Sequence, residues 1–554
     1  MVNSISQNMA SPVQKRTNTS IFYINDVHGR TSNMEKITSA SQTFDTFTPS
    51  SVDKLKMCSG DTMLGQNPKV NTAANKFLNI NNIMATVIGN HECDQAPTSL
   101  ASIIKDAKYK ILGHNVKVAK GSEFDGKITK SYIQEANGNK YGVIALMPYD
   151  LYIRIKSKDQ YSKNLEVNPL EQTIKDVQQE VDDMKKQGVN KIIVLSHTGY
   201  EQEVKLAKAV EGIDIILGGH SHDLIKGIEE GKNLFYSPRT GEPTIITQAG
   251  RDGDHFGILN VEFDENGVIK KAQNNVSKAA NFQRNLALRE IFDEVMGKAQ
   301  VIGTIATAAP MPEQILKEEN PHASFIADIM RNELKSDIAM INAANLRGCF
   351  EAGKITDRDV SSTTPFKNKM LVINLTEKEI VDTLKYASSS MTKNDGKPGL
   401  MQVSGLKYTI NKKGELLDLK YTDKQGKEVS IDVNNPNIFK KYSVAVDDFC
   451  GKGRDGFTMM NKFNDPDTKV YDFDKDKLAI DYIKRQTEPI NIQKDGRIKT
   501  DAATGRPLAT WKSTKDAATV DWEALARALG ATDEQIAAHT KFRPGSRRFL
   551  AKRP

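Results

Sequence analysis

Five short polar clusters constrain this chain more than any other feature, because each begins where an apolar run of strand length ends. Ile21-Phe22-Tyr23-Ile24 leads into Asn25-Asp26-Val27-His28-Gly29-Arg30, and Met57-Cys58 leads into Ser59-Gly60-Asp61. Ala85-Thr86-Val87-Ile88 leads into Gly89-Asn90-His91-Glu92, and Ile192–Leu195 into Ser196-His197. Asp214–Leu217 leads into Gly218-Gly219-His220-Ser221-His222. Between these runs lie amphipathic segments. Residues 168–188, for example, carry Leu170, Ile174, Val177, Val181 and Met184 at helical spacing. Strands alternating with helices predict an α/β sandwich with its helices outside.

In open α/β sheets, ligands bind beyond the carboxyl ends of the strands, where these clusters fall. Residues two apart on extended backbone point to one side. Asp26 with His28, and His220 with His222, can therefore each aim two ligands at one point. Imidazole combined with carboxylate and amide oxygen suits zinc, manganese, iron or cobalt better than a calcium cage. A single histidine at a strand end is more often structural. Here seven of nine histidines precede residue 260, and five of those seven sit in the clusters.

The order D-x-H, G-D, G-N-H-E, S-H, G-H-x-H resembles that of the calcineurin-like metallophosphoesterases. Within them, Gly89-Asn90-His91-Glu92-Cys93-Asp94 and Gly218-Gly219-His220-Ser221-His222-Asp223 resemble motifs of the 5′-nucleotidase and UDP-sugar hydrolase family. The resemblance covers residues 20–488. It implies a β-sandwich flanked by helices, joined to a second α/β domain that binds the nucleoside. It also implies two divalent cations (zinc, manganese, cobalt, iron or magnesium), one held by Asp26, His28, Asp61 and His222. The other would be held by Asp61, Asn90, His197 and His220. Such a pair activates water for in-line attack on phosphorus. His91 and Asp94 correspond to the family's catalytic dyad. Asp94 on its own also reads as a carboxylate at a helix N-terminus. Arg30 and Glu92 read as loop-fixing neighbours, Cys93 as packing, and His114, His255 and Gln248 as lesser candidates.

The second half reads as a separate α/β unit, over residues 301–490, after a connecting helix over residues 283–300. Asn342-Ala343-Ala344-Asn345-Leu346-Arg347 resembles the family's Asn-Gly-Gly-Gly-Ile-Arg loop and keeps its Asn342 and Arg347. All three glycines are lost, which stiffens the loop. Thr364–Asn368 resembles a Pro-Phe-Gly-Asn turn, and the segment from Phe449 to Phe457 a Phe…Gly-Gly-Asp-Gly-Phe segment. By resemblance, Phe366 and Phe449 sandwich the base, Asp455 binds the ribose, and Asn342, Arg347 and Asn368 complete the substrate contacts. Apolar rings stack on any base. Read singly, either Phe is an ordinary core residue. Lys317 stands where relatives place an upstream arginine.

Charge separates a tail from this body. From Asn491 onward there are 13 Lys and Arg against 7 Asp and Glu, while the preceding 490 residues carry 64 against 63. A balanced body predicts no nucleic-acid affinity. Residues 491–554 read as a basic module containing both tryptophans, Trp511 and Trp522. Its sequence resembles the end of phage-type recombination exonucleases, without their acidic metal motif. Arg543, Arg547, Arg548, Lys552 and Arg553 offer weak nonspecific contact to phosphates. A solvated basic tail is the plainer reading. Residues 1–19 read as a flexible leader without an apolar signal segment. No run approaches the ~20 apolar residues of a membrane span. Four scattered cysteines, Cys58, Cys93, Cys349 and Cys450, read as free thiols. A cytoplasmic location is the resulting expectation, with an extracytoplasmic one as the alternative.

The expected activity is dinuclear-metal removal of phosphate from nucleoside 5′-monophosphates, extending to nucleotide diphosphate compounds. The nearest alternative keeps the chemistry and changes the substrate, as in a 2′,3′-cyclic nucleotide phosphodiesterase or 3′-nucleotidase. An alternative of another class is a noncatalytic nucleotide- or nucleic-acid-binding protein.

Overall fold

A computed structural model describes residues 17–155, 157–308, 312, 314–393 and 396–500. They form two compact units that divide between Gly297 and Lys298. The leader before Thr17 and the tail from residue 501 lie outside the described residues.

The N-terminal unit is a sandwich of two six-stranded sheets. The first runs in the order Ile269–Lys278, His255–Phe263, Asn18–Ile24, Asp53–Cys58, Ala85–Val87, Lys110–Leu112. The second runs Leu234–Tyr236, Pro243–Thr247, Ile215–Leu217, Ile192–Ser196, Asn139–Leu146, Ser131–Ala136. Their facing side chains make one core, in which Phe22, Leu55, Val143, Leu195 and Ile215 are fully buried. A second core packs the outer face of the second sheet under helices, with Val177, Val181, Leu206 and Ile216 buried. These strands are apolar on both faces because both faces are covered.

Parallel pairing brings the strand ends level. Ile24 pairs with Cys58, and Cys58 with Thr86, in the first sheet. Leu217 pairs with Leu195 and Thr247, and Leu146 with Ser196, in the second. The polar clusters that follow are thereby gathered at one end of the sandwich.

The connecting helix is shorter than the expected span of residues 283–300. It spans Leu286–Met296, started by the Asn285 side chain accepting from the Leu288 N–H and ended by Gly297 at φ 90°. Arg289 pairs with Glu35, and Leu288 and Phe292 join the first core, so this helix is built into the N-terminal unit.

The C-terminal unit centres on a five-stranded sheet, in the order Met401–Ser404, Ile338–Asn342, Lys441–Asp447, Lys369–Thr376, Lys469–Asp474. Helices Pro321–Glu333 and Glu377–Ser388 pack on it, each with an N-cap side chain, from Asn320 and Thr376. The chain of this unit continues past residue 490. Strand Ile498–Thr500 pairs with Leu406–Ile410, and Arg497 binds Asp328 through two nitrogens. The expected boundary at 490/491 therefore falls inside the folded unit. No helix among the described residues is long and apolar enough to cross a membrane. All four cysteines are free thiols, three of them buried.

Candidate active site

Asp26, His28, Asp61, His220 and His222 all have left-handed backbone, with φ between 49° and 75°. Among residues other than glycine such backbone is uncommon and costs about 1–3 kcal/mol each. Five occurrences at the ends of neighbouring strands mark a place where side-chain aim overrides backbone preference.

Three groups of ligand atoms converge there, each group within 4.8 Å: Asp26, His28 and His222; His28, Asp61 and His91; and Asp26, Asp61 and His197. Asp26 and His197 are fully buried, and Asp61 and His28 nearly so. His197 Nε2 lies 3.0 Å from Asp61 Oδ2. Its Nδ1 donates to the Ser59 carbonyl at 2.6 Å, which aims Nε2 into the pocket. Burial would push the Asp26 carboxyl up, but His222 and His197 outweigh it and hold it below the ordinary carboxylate range. Burial would likewise depress His197, but Asp61 and Asp26 hold it up to about 10. The pocket thus demands positive charge at this point. Imidazole and carboxylate donors fit a divalent transition metal, which would replace that charge. The donor set, with His197 Nε2 aimed into it, therefore accommodates the dinuclear divalent metal site of calcineurin-like phosphoesterases.

Asn90 and His220 sit at the edge of the pocket. Asn90 Oδ1 accepts from His220 Nδ1 at 2.9 Å, and His220 Nε2 faces Asp150 at 3.2 Å. His220 is in none of the three converging groups, whereas Asp26 is in two. The structure thus brings Asp26 closer to both expected ligand sets than the sequence pairing does.

His91 stands beside this pocket with its side chain 19% exposed, and its Nδ1 is 2.7 Å from Asp94 Oδ2. Asp94 belongs to a short 3-10 turn, and the same oxygen accepts the Gly65 N–H at 2.8 Å. It therefore orients His91 and does not cap a long helix.

The loops are fixed from behind. Glu92 accepts from the N–H groups of Asp61, Thr62, Met63 and Gly89. Gln248 accepts from the Asp223 N–H at 3.1 Å and donates to Glu203 at 2.9 Å, holding the 218–223 loop. His114 is buried near Asp176 and Glu180, and His255 lies near Lys278 and Lys226; neither joins the converging groups. Arg30 is buried near Asp254. Asp252, Asp150 and Glu203 were missed by the sequence reading. No motif marks them, although Asp252 also has left-handed backbone, at φ 57°.

In the C-terminal unit, pairing places the expected substrate segments at one end of the three central strands. Strand Ile338–Asn342 runs parallel to Lys441–Asp447, and Met370 pairs antiparallel with Asp447. Asn342, Phe449 and the segment 366–368 therefore emerge together. Phe366 and Phe449 are half-buried, and the Arg347 guanidinium lies 5.6 Å from the centre of the Phe366 ring. Asn342 is buried, and its Nδ2 has no hydrogen-bond partner among the described residues. Asp455 is exposed at φ 51°, with its carbonyl accepting from the Tyr386 hydroxyl. Asn368 is half-buried. Phe457, by contrast, is fully buried core. Lys317 reaches the Met391 carbonyl, at 3.5 Å.

The chain matches the calcineurin-like phosphoesterase family over residues 19–224 and the 5′-nucleotidase C-terminal domain over 300–462. It is a calcineurin-like phosphoesterase joined to a 5′-nucleotidase C-terminal domain. This phosphoesterase is 26% identical to the probable 5′-nucleotidase of Treponema pallidum over 450 residues, 68% of this chain and 73% of that protein. It is 27% identical to the trifunctional nucleotide phosphoesterase YfkN of Bacillus subtilis over 76% of this chain, but spans only 31% of that protein. The 5′-nucleotidase precursor of Thermus thermophilus shares the fold, with a TM-score of 0.66 at 23% identity over 87% of this chain and 99% of that one. Membership makes the chain a metal-dependent phosphoester hydrolase.

Proposed function

We propose that this phosphoesterase removes the phosphate from nucleoside 5′-monophosphates. The observation that carries the reading is the His91–Asp94 pair beside a buried pocket of converging aspartates and histidines. The relatives named as nucleotide-cleaving enzymes support the nucleotide as substrate.

In this reading Asp26, His28, Asp61 and His222 hold one divalent cation, and Asp61, Asn90, His197 and His220 the other, with Asp26 near both. Bound there, the cations supply a nucleophile at neutral pH and neutralise charge on the phosphoryl oxygens. Asp94 fixes the His91 ring through Nδ1, which leaves Nε2 to face the phosphoryl group. From there it stabilises the growing charge or protonates the leaving oxygen. Phe366 and Phe449 sandwich the base, Asp455 binds the ribose hydroxyls, and Asn342, Arg347 and Asn368 add polar contacts. The Nδ2 of Asn342, unpartnered among the described residues, is a donor of the kind that a ligand oxygen satisfies.

A second reading keeps the same metal chemistry and takes 2′,3′-cyclic or 3′-nucleotides instead, and a relative named a trifunctional nucleotide phosphoesterase supports a range of nucleotide substrates. Phosphate release from 5′-, 3′- and cyclic nucleotides, with manganese or zinc and with the His91→Ala variant as control, separates the two. Release from 5′-monophosphates that collapses in the variant supports the main reading. Release from cyclic or 3′ substrates alone replaces it with the second. No turnover by a folded, metal-loaded protein would overturn both.

A further inference from the structure

The segments that carry the expected nucleoside contacts are far apart in sequence, yet they meet two adjacent side chains. Lys475 and Asp476 open the helix Lys475–Lys484, directly after the strand Lys469–Asp474. Both are almost fully buried, at 1% and 3% exposure. Charged side chains are rarely buried to this degree without a specific partner.

Lys475 Nζ lies 2.7 Å from Asp447 Oδ2. The same Asp447 oxygen accepts from Asn345 Nδ2 at 2.8 Å, within the 342–347 loop. Its other oxygen accepts the Cys450 N–H at 3.0 Å, which fixes the turn bearing Phe449. Asp476 is ion-paired with Lys367, the residue between Phe366 and Asn368. It also accepts from the Ser361 hydroxyl at 2.8 Å. Ser361 belongs to helix Asp357–Thr363, whose terminal Thr363 carbonyl receives the Arg347 N–H at 2.9 Å.

We infer that Lys475 and Asp476 are positioning residues of the nucleoside site, setting the spacing of Phe366 and Phe449 and the placement of Arg347. This rests on the nucleoside reading of those residues. Two rings can stack on one base only if their planes are held parallel at a fixed separation. Half-buried rings on turns lack that rigidity unless the turns are tied to something stiff. Here the tie is one buried point at the start of a helix, with Lys475 holding the Phe449 turn and Asp476 the Phe366 turn. A buried ion pair of this kind is better explained by geometry than by net stability, since desolvation offsets much of its attraction.

The test compares two substrates in the full chain loaded with manganese: a nucleoside 5′-monophosphate, and a small aryl phosphate that has no nucleoside. The variants are Lys475→Met, Lys475→Arg, Asp476→Asn and the half-exposed Lys367→Met, with Lys477→Met on the outer face of the same helix as control. The expected result is a KM for the nucleotide raised roughly tenfold in Lys475→Met and Asp476→Asn, with aryl phosphate turnover within about twofold of the parent. Lys475→Arg should recover part of the nucleotide KM, and Lys477→Met should change neither. If Lys475→Met fails to fold, Lys367→Met carries the test, because its side chain is half-exposed and its loss frees only the Phe366 turn. An unchanged nucleotide KM in these variants, while Phe449→Ala raises it, overturns the inference and leaves the clamp intact. Unchanged nucleotide KM in Phe366→Ala and Phe449→Ala removes the clamp itself. Equal loss on both substrates assigns the pair a general structural role and overturns the inference.

Discussion

His28 donates its Nδ1–H to a carboxylate oxygen of Asp252 at 2.9 Å, across 224 residues of sequence. The bond fixes the tautomer of His28 and directs Nε2 toward Asp26 and Asp61, which lie 3.7 and 3.6 Å away. Carboxylates in this role raise the basicity of a ligating imidazole. Asp252→Ala should therefore weaken divalent metal binding about 10–100-fold while leaving the fold intact. Manganese or zinc titration followed by calorimetry checks this, and an unaltered affinity would remove Asp252 from the site.

The 2.7 Å contact between His91 and Asp94 predicts two graded losses. His91→Ala should lower kcat on nucleotides by about 10²–10⁴-fold, the range for a positioned acid or base. Asp94→Asn should lower it less, because the imidazole remains and only its orientation is loosened. Steady-state phosphate release with saturating metal measures both. Equal affinity for metal in parent and variants would show that the loss lies in the chemical step.

Gly89 leaves no room for a side chain. A Cβ there would lie 2.1 Å from Asp61 Oδ1 and 2.8 Å from His197 Nε2. Gly89→Ala must displace one of these two, and both are at the centre of the pocket. The expected outcome is loss of bound metal and of turnover, with secondary structure retained. Metal content by elemental analysis beside circular dichroism decides it; a fully metal-loaded variant would sink the prediction.

Glu203 makes stability depend on pH. Burial pushes its carboxyl from the ordinary 4.5 up to about 8. Between those values the unfolded chain releases a proton that the folded chain keeps, which favours unfolding. Its contribution is therefore full below about pH 4.5, declines as pH rises toward 8, and is level above that. Asp214, likewise pushed up to about 8 by burial, adds the same trend. Glu203→Gln keeps one acceptor and one donor and cannot ionise. It should shrink the fall in Tm between about pH 5 and 8 without abolishing it. An identical pH profile in thermal denaturation would show that Glu203 does not titrate in this window.

Much of the site is readable in the chain because its chemistry is written locally. Asp26, His28, Asp61, Asn90, His91, His197, His220 and His222 each follow an apolar run, and such runs become buried strands whatever their neighbours. Once the strands are parallel and level, their trailing residues must gather at one end. The expected nucleoside contacts are legible for a similar reason, since Asn342 ends a strand, Phe449 follows one, and Phe366 and Asn368 precede one.

Tertiary structure alone decided the supports. Asp252, Glu203, Asp447, Lys475 and Asp476 carry no spacing signal, because each acts through a partner tens to hundreds of residues away, and a lone carboxylate or lysine looks like surface until burial is known. The same holds for the length of the connecting helix. Its expected range extends to residue 300, but Asn285 caps one end, Gly297 closes the other, and packing against the first core holds what lies between. Local sequence determines which residues can serve a strand end or a helix face. Which distant groups hold them in place depends on chain topology, and only the folded arrangement of the sheets fixes that.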